Sequence, residues 1–396
     1  MTRIDSRRQR HRKQRRRRFI GVLSSFLFVG IAFFIGALWS KETEHEKAST
    51  MIEQPTSGES TIEEPESNIE PGEISMTETH ITVSAAGDFT LGSDLAYGYQ
   101  GSFIEEATKN GLSHFVKGLN GVFLEDDFSA VNLEIPLTTA QAKADKQFSF
   151  KGDPSYAEIL NLAGIEAVNL ANNHTYDYLQ KGYDDTIATL KKYNIGYFGN
   201  PHKYITTIKD VKLGTLGYKG WNDTLELREQ IQKDISDLRN EGVQIVLVHF
   251  HWGVERAYVP QESQRTLAKY TIDSGADLIV GHHPHVVQGI EEYQGKFIVY
   301  SLGNFMFGGN RNPSDKDTFV FQQTFYLQDG VLTDKKAIKV IPFSISSVSS
   351  RNDFQPTKLA GSEAERVKNK IIEVSNQING SDWLVYEKGE QAVINN

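Results

Sequence analysis

Three of the chain's eleven histidines, His282, His283 and His285, fall within four positions, where the apolar run ADLIVG ends. The chain has no cysteine, which excludes a thiolate zinc site, a disulfide framework and a cysteine nucleophile, so any metal must be held by nitrogen and oxygen. Four further polar clusters stand just after apolar runs of their own: Gly87-Asp88, Asn132-Leu133-Glu134, Asn172-Asn173-His174 with Asp177, and His249-Phe250-His251. Carboxyl ends of strands are where open α/β sheets gather ligands. Singly, each cluster has a plainer reading: Asp88 as a turn cap, Glu134 as partner of a lysine, Asn172 and Asn173 as turn residues, one of His249 and His251 as a hydrogen-bonded core histidine. Alternation places His283 and His285 on one side and turns His282 away as a structural residue. Five such ends in one chain favour convergence. Carboxylate, amide oxygen and imidazole without sulfur suit Mn, Fe or Zn, as one ion or a pair. Two ions sharing a carboxylate would activate a water and clamp an in-line displacement at a phosphate ester.

Other chemistries lack their parts. The chain has no G-x-S-x-G elbow, no G-x-x-x-x-G-K-[ST] loop and no H-E-x-x-H helix.

The elements that must position these residues are short β-rich runs from His80 onward, separated by helical segments. Asp153-Pro154 opens SYAEILNLAG, while YDDTIATLKKY, TLELREQIQKDISDLRNEG and SQRTLAKYTIDSGA carry apolar residues at three- and four-residue spacing. This alternation implies an α/β domain with largely buried sheets. After Gly289 the texture changes, and the dipeptides Gln294-Gly295 and Asp329-Gly330 predict antiparallel hairpins. ERVKNKIIEVSNQI is an amphipathic helix candidate near the end of the chain.

Residues 1 to 18 hold ten Arg or Lys and one Asp, a local +9 that leaves −18 for the remainder of a chain whose formal charge is −9. An acidic body repels a nucleic-acid backbone, and the basic block is too short for a DNA-binding domain. Residues 19 to 39 carry no charge and as a helix would be about 31 Å long, enough to span a bilayer's hydrocarbon layer. The basic flank on the amino side predicts a single-pass anchor with a cytoplasmic N-terminus and an extracellular body. A cleaved signal peptide is the rival, but its apolar core is usually about 7 to 15 residues and ends in a small-x-small site. Residues 40 to 78 read as a solvated, disordered acidic stalk. The expected organisation is therefore 1–18 basic terminus, 19–39 anchor, 40–78 stalk, 79–345 globular domain and 346–396 C-terminal extension.

The motifs AAGDFTLGSD, VNLEIPLTT, NLANNHTYDY, HFHWGVE, GADLIVGHHPHVVQGIE and IVYSLGNFMF, in this order over about residues 80 to 345, resemble those of the CapA family of poly-γ-glutamate capsule biosynthesis proteins. That family is similar in fold to the calcineurin-like metallophosphoesterases. The resemblance implies a four-layer α/β/β/α sandwich with metal ligands Asp88, Glu134, Asn173, His251, His283 and His285. It makes His174 the proton donor to a leaving group, and Asp177, three residues on, stands where it can orient that imidazole. Asn172, Glu255 and Asn304 would line the cleft toward substrate, with His249 behind. Thr90 stands where the phosphoesterases carry the histidine of Asp-x-His, Glu134 where they carry aspartate, and Ser93 where the capsule family often has arginine.

The function implied is a membrane-anchored extracellular component of poly-γ-glutamate, or related anionic polymer, synthesis and export. Its partners would be the membrane-embedded synthase and export subunits. A stand-alone cell-surface metal-dependent phosphoesterase is the rival reading, and a structural anchor with a vestigial site is a third. A body of −18 cannot hold polyglutamate by bulk attraction, so contact with polymer must run through a local basic groove or the metal.

Overall fold

The computed structural model describes residues 77 to 199 and 201 to 387. The described residues belong to one compact unit, Glu73–Asn396. The expected anchor at 19–39 and nearly all of the stalk lie outside the described residues. Among the described residues no helix is long and apolar enough to cross a membrane.

The fold is mixed α/β with several sheets. The larger sheet has eight strands: β1 (Glu78–Thr90), β3 (Phe128–Leu133), β5 (Ala167–Asn169), β6 (Gly196–Phe198), β13 (Asn304–Phe307), β14 (Asp317–Gln328), β15 (Val331–Ser344) and β16 (Thr357–Lys358). Its order is β16-β15-β14-β1-β3-β5-β6, with β13 paired to the end of β1. The second sheet runs in the order β11-β12-β10-β9-β8-β7. Its strands are β7 (Tyr204–Ile208), β8 (Val211–Lys219), β9 (Ile245–His251), β10 (Leu278–His282), β11 (Ile290–Tyr293) and β12 (Lys296–Val299). A two-stranded ribbon joins β2 (Ser93–Asp94) to β4 (Phe150–Lys151).

The centre of each sheet is parallel. Strands β1, β3, β5 and β6 run together in one, and β8, β9, β10 and β12 in the other. Parallel neighbours need crossovers, which helices supply. These are α1 (Phe103–Asn110), α2 (Ala157–Ala163), α3 (Leu179–Lys192), α4 (Leu225–Asn240) and α5 (Glu262–Asp273). The Thr224 hydroxyl caps α4 by accepting from the Leu227 amide, and Gln261 with Gln264 forms a reciprocal capping box on α5. Such caps satisfy amides that the first helical turn leaves free.

Alternation along β9 shows how the layers are glued. Ile245 and Leu247 join an apolar cluster fed by both sheets. Val246, Val248 and Phe250 turn the other way, onto Ile231, Ile235 and Leu238 of α4 and Leu267 of α5. A third cluster packs Val131 and Leu133 of β3 against Ile159 and Leu160 of α2 and Leu190 of α3. Strands buried on both faces read as continuous apolar runs, which is why SAVNL and IVLV carry so little polar punctuation before their ends.

Both expected hairpins form. Gln294 and Gly295 join β11 to β12 with φ of 48° and 72°, and Asp329 and Gly330 join β14 to β15 with φ of 50° and 80°. Positive φ at both central residues matches the right-handed twist of the flanking strands. The amphipathic candidate near the end forms α6 (Gly361–Asn376), which sends Val367, Ile371 and Val374 into the cluster shared by the sheets. The short α7 (Leu384–Glu387) follows it.

A bulge in β1 prepares the site. Ala85 faces the cluster between the sheets and Ala86 the helices, so strict alternation would send Asp88 to the helix side. The register against β3 slips between Ala85 and Asp88, and the extra residue returns Asp88 to the side of the second sheet. Gly87 permits this, because a Cβ there would lie 2.0 Å from the Gly303 carbonyl oxygen. Gly87→Ala is expected to cost about 1–3 kcal/mol of stability through overpacking against backbone. A urea midpoint unchanged from wild type would show that the close approach is unimportant.

Candidate metal centre

All five polar clusters lie at carboxyl ends of central parallel strands: Asp88 at the end of β1, Glu134 just past β3, the Asn172–Asp177 turn past β5, His251 ending β9, and His283 and His285 past β10. The structure brings their side chains into one cleft. Ligand atoms of Asp88, Glu134 and His285 lie within 4.8 Å of one another, and so do those of Glu134, His251 and His283. Glu134 belongs to both groups, as a carboxylate shared between two cations would. A third group, Glu255 with His283 and His285, shows that Glu255 reaches the same mouth from its exposed loop.

His283 and His285 do not reach the cleft by alternation along a strand. Strand β10 stops at His282, and His283 and His285 take φ of 96° and 58°. Side chains pay steric strain for such backbone, which persists where surrounding contacts fix it. The same stop corrects the expectation for His282. It faces the cleft side with Leu278 and Val280, meets His249 Nδ1 through Nε2 at 3.0 Å, and stands 3.5 Å from Asp88 Oδ1. It is therefore a structural partner of Asp88 and His249, pointed inward rather than away.

The electrostatics follow from burial. The Glu134 carboxyl is pushed well above the usual carboxylate range by burial and by the charge of Asp88, and neither of its oxygens has a hydrogen-bond partner. Burial would raise Asp88 too, but hydrogen bonds and charge from His282 and His285 hold it well below its ordinary value. Burial pushes His251 well down and His283 down to about 4, so both are neutral imidazoles at pH 7. For His285 burial acts downward, yet Glu134 and Asp88 outweigh it and raise the ring to about 9.

The donor set fits a divalent cation. Burying a carboxylate with no partner is costly unless something pairs with it, and among the described residues both Glu134 oxygens and His283 Nδ1 stand buried and unsatisfied in the same cleft. Asn173 Oδ1 accepts from His251 Nε2 at 2.8 Å, so its amide oxygen reaches the same place. Asn304 Oδ1 accepts from His285 Nδ1 at 2.9 Å, which holds that ring in position. Thr90 Oγ1 is likewise buried without a partner.

His174 is held by Asp177. Its Nδ1 donates to Asp177 Oδ2 at 2.7 Å, while Lys146 Nζ and the Phe150 amide donate to the same carboxylate at 2.6 and 2.7 Å. With Nδ1–H engaged, Nε2 is the nitrogen left for proton exchange. Burial lowers the His174 pKa despite the Asp177 charge, so the ring is a base rather than a resident cation.

Asn172 departs from its expected place toward substrate. It is fully buried, its Nδ2 donates to Asn132 Oδ1 and the Leu133 carbonyl at 3.2 and 2.9 Å, and its Oδ1 accepts from the His174 amide at 3.1 Å. Every polar atom is used in shaping the turn.

The sequence places Asn132 in its polar cluster but assigns it no role. Its Nδ2 donates to Asp88 Oδ1 at 2.9 Å and to His251 Nδ1 at 3.3 Å, and its Oδ1 accepts from Asn169 and Asn172. One amide thus ties β1, β5 and β9 behind the cleft. Lys146 and Trp221 were missed. The Trp221 ring lies edge-on to His251 and His283, with centroids 5.5 and 4.5 Å away. The only signal for Asn132 was its place two residues before Glu134, and nothing in the sequence around Lys146 or Trp221 marks them.

Comparisons with known proteins bear on this geometry. The profile of the family described as "Bacterial capsule synthesis protein PGA_cap" matches residues 82–309. The chain is 29% identical over 298 residues to "Capsule biosynthesis protein CapA" of Bacillus anthracis, covering 68% of this chain and 69% of that protein. It is 32% identical over 229 residues to "PGA biosynthesis protein CapA" of Bacillus subtilis (strain 168), covering 52% and 60% respectively. Among solved structures, a hypothetical protein from Thermus thermophilus aligns with a TM-score of 0.42 at 14% identity, covering 66% of this chain and 99% of that one.

Proposed function

The chain belongs to the bacterial capsule synthesis protein family, and from that membership we propose that it serves poly-γ-glutamate biosynthesis and export as a membrane-anchored, extracellular component with a metal site. The observation that carries the reading is the meeting of Asp88, Glu134, His251, His283 and His285 in one cleft. The helix-covered sheets are assigned as a metallophosphoesterase-like four-layer α/β/β/α sandwich. Asp88, Glu134 and His285 would hold one cation, and Glu134, Asn173, His251 and His283 a second. Mn, Fe and Zn all suit this donor set. When bound, such a cation supplies Lewis acidity and a water of lowered pKa.

The chain's own residues do the rest. Asn304 orients His285, and Asn132 fixes Asp88 and His251. His174, steered by Asp177, presents Nε2 to exchange a proton with a group bound in the cleft. Trp221 shields His251 and His283 from bulk water. The partners in this reading are the membrane-embedded synthase and export subunits.

A specific observation favours a second reading: the His174–Asp177 pair is the apparatus of a general acid–base, which supports a stand-alone cell-surface phosphoesterase. Three measurements on the full-length protein test these readings. Elemental analysis should find one or two Mn, Fe or Zn per chain, and His283→Ala should lower that count. Membranes depleted of the chain should lose glutamate polymer synthesis and regain it on addition of wild type but not of His283→Ala. Undiminished synthesis after depletion would sink the first reading. Absence of phosphodiester hydrolysis by wild type with each of the three metals would sink the second.

A further inference from the structure

The cleft is acidic and imidazole-rich at its floor, but its rim toward β8 is basic and aromatic. Lys219 is the last residue of β8, beside His251 in the parallel register, and it is exposed. Among the described residues no carboxylate forms an ion pair with it. Its Nζ lies 6.0 Å from the centroid of Tyr176, and its charged neighbour is another cation, Lys146. Partial desolvation and then that like charge press Lys219 below the ordinary lysine range. The two lysines differ in one respect. Lys146 Nζ already donates to Asp177 Oδ1 at 2.6 Å and to the Asn173 carbonyl at 3.1 Å, whereas Lys219 has its charge to spare.

One aromatic ring stands beside it, and a second stands against its strand partner His251. Tyr176 is 43% exposed and stands two positions past His174, and Trp221 is 38% exposed and stands two positions past Lys219. A cation beside a like cation, with no carboxylate of its own in a body whose net charge is strongly negative, is disfavoured unless an anion arrives from outside. Exposed aromatic faces at this rim would cover the methylene and amide parts of a chain whose acidic groups recur.

We propose that Lys219, with Tyr176 beside it and Trp221 against His251, is a subsite that receives a carboxylate of a γ-linked glutamate chain at the rim of the metal centre. This rests on the polymer reading above and adds the local basic contact that an acidic body requires.

The test is binding of a fluorescent γ-linked glutamate oligomer to full-length protein, followed by anisotropy over a range of salt, with metal content measured in parallel. Lys219→Gln should weaken binding about tenfold, the loss of one charge-assisted hydrogen bond. It should also flatten the salt dependence, because one fewer counterion is displaced, and leave metal content at the wild-type level. Lys219→Arg should retain most of the affinity. Equal affinity of Lys219→Gln and wild type would overturn the subsite and leave the polymer reading standing. Loss of metal together with binding would overturn it too, by making Lys219 a support of His251. Competition by inorganic phosphate as effective as that by unlabelled oligomer would overturn the carboxylate assignment. No binding by wild type at all would remove the polymer reading, and the subsite with it.

Discussion

Glu134→Gln is expected to change the protein's stability in opposite directions depending on whether metal is present. In chelator, the substitution replaces a buried carboxyl whose ionised form burial and Asp88 both disfavour and whose oxygens have no hydrogen-bond partner, the Nε2 atoms of His251 and His285 standing 3.4 and 3.8 Å from Oε1. Relief of an unsatisfied buried carboxyl is worth about 1–3 kcal/mol, so the metal-free variant should melt higher than metal-free wild type. His285 keeps Asp88 as its remaining carboxylate, at 3.2 Å. With metal the order reverses. Loss of a partner that merely supports a ligand weakens metal binding about 10–100-fold, and loss of the one carboxylate common to both ligand groups should exceed the upper end of that range. Stabilisation by added metal, which tracks the ratio of free metal to its dissociation constant, should then vanish in the variant. Thermal melts in chelator and in excess Mn or Zn, with titration calorimetry, check both halves. A variant that melts lower than wild type in chelator, or that keeps wild-type metal affinity, would show that Glu134 is satisfied by some other means.

Asn132→Ala carries the second large effect, and it falls on the fold. The side chain is fully buried and makes four hydrogen bonds to three different strands and the turn beyond β5. Truncation leaves Asn169 Nδ2 without its acceptor and strips Asp88 Oδ1 of its amide donor, whereas Asn172 keeps the Leu133 carbonyl. At about 1–3 kcal/mol for each orphaned group, the expected loss is about 3 kcal/mol, roughly a hundredfold in the folding equilibrium. Asn132→Asp should fail to rescue it, because a second carboxylate would face Asp88 and could not donate to it. Urea denaturation in chelator isolates the fold from metal binding. A loss under about 0.5 kcal/mol, the scale of an ordinary surface change, would show that water replaces the amide without cost.

What could be read in advance follows a physical rule. Polar residues at strand ends are conspicuous because the strands before them are buried on both sides and carry little else, so Asp88, Glu134, Asn173, His251, His283 and His285 stand out against apolar runs. The hairpins at Gln294-Gly295 and Asp329-Gly330 were legible because positive φ at two successive positions admits few residue types. The rest depends on geometry that leaves no local trace. The bulge between Ala85 and Asp88 is a matter of pairing with β3, and without it alternation would misplace Asp88. The inward turn of His282 depends on where β10 stops, and element boundaries are the least secure part of any pattern reading. Lys146 and Lys219 gain their meaning from Asp177 and Tyr176, residues far from them in the chain.

The placement of β1 has a consequence for how the molecule comes into being. It opens the described fold yet lies in the interior of its sheet, and its antiparallel neighbour is β14, so that Thr82 meets Thr324, 242 positions later. A segment emerging early from the ribosome therefore waits for one that emerges late. Loop closure over such a span delays assembly, and until β14 arrives β1 has an unclaimed edge of the kind that invites wrong pairing. The cleft, whose floor includes the end of β1, completes only when most of the polypeptide has been delivered.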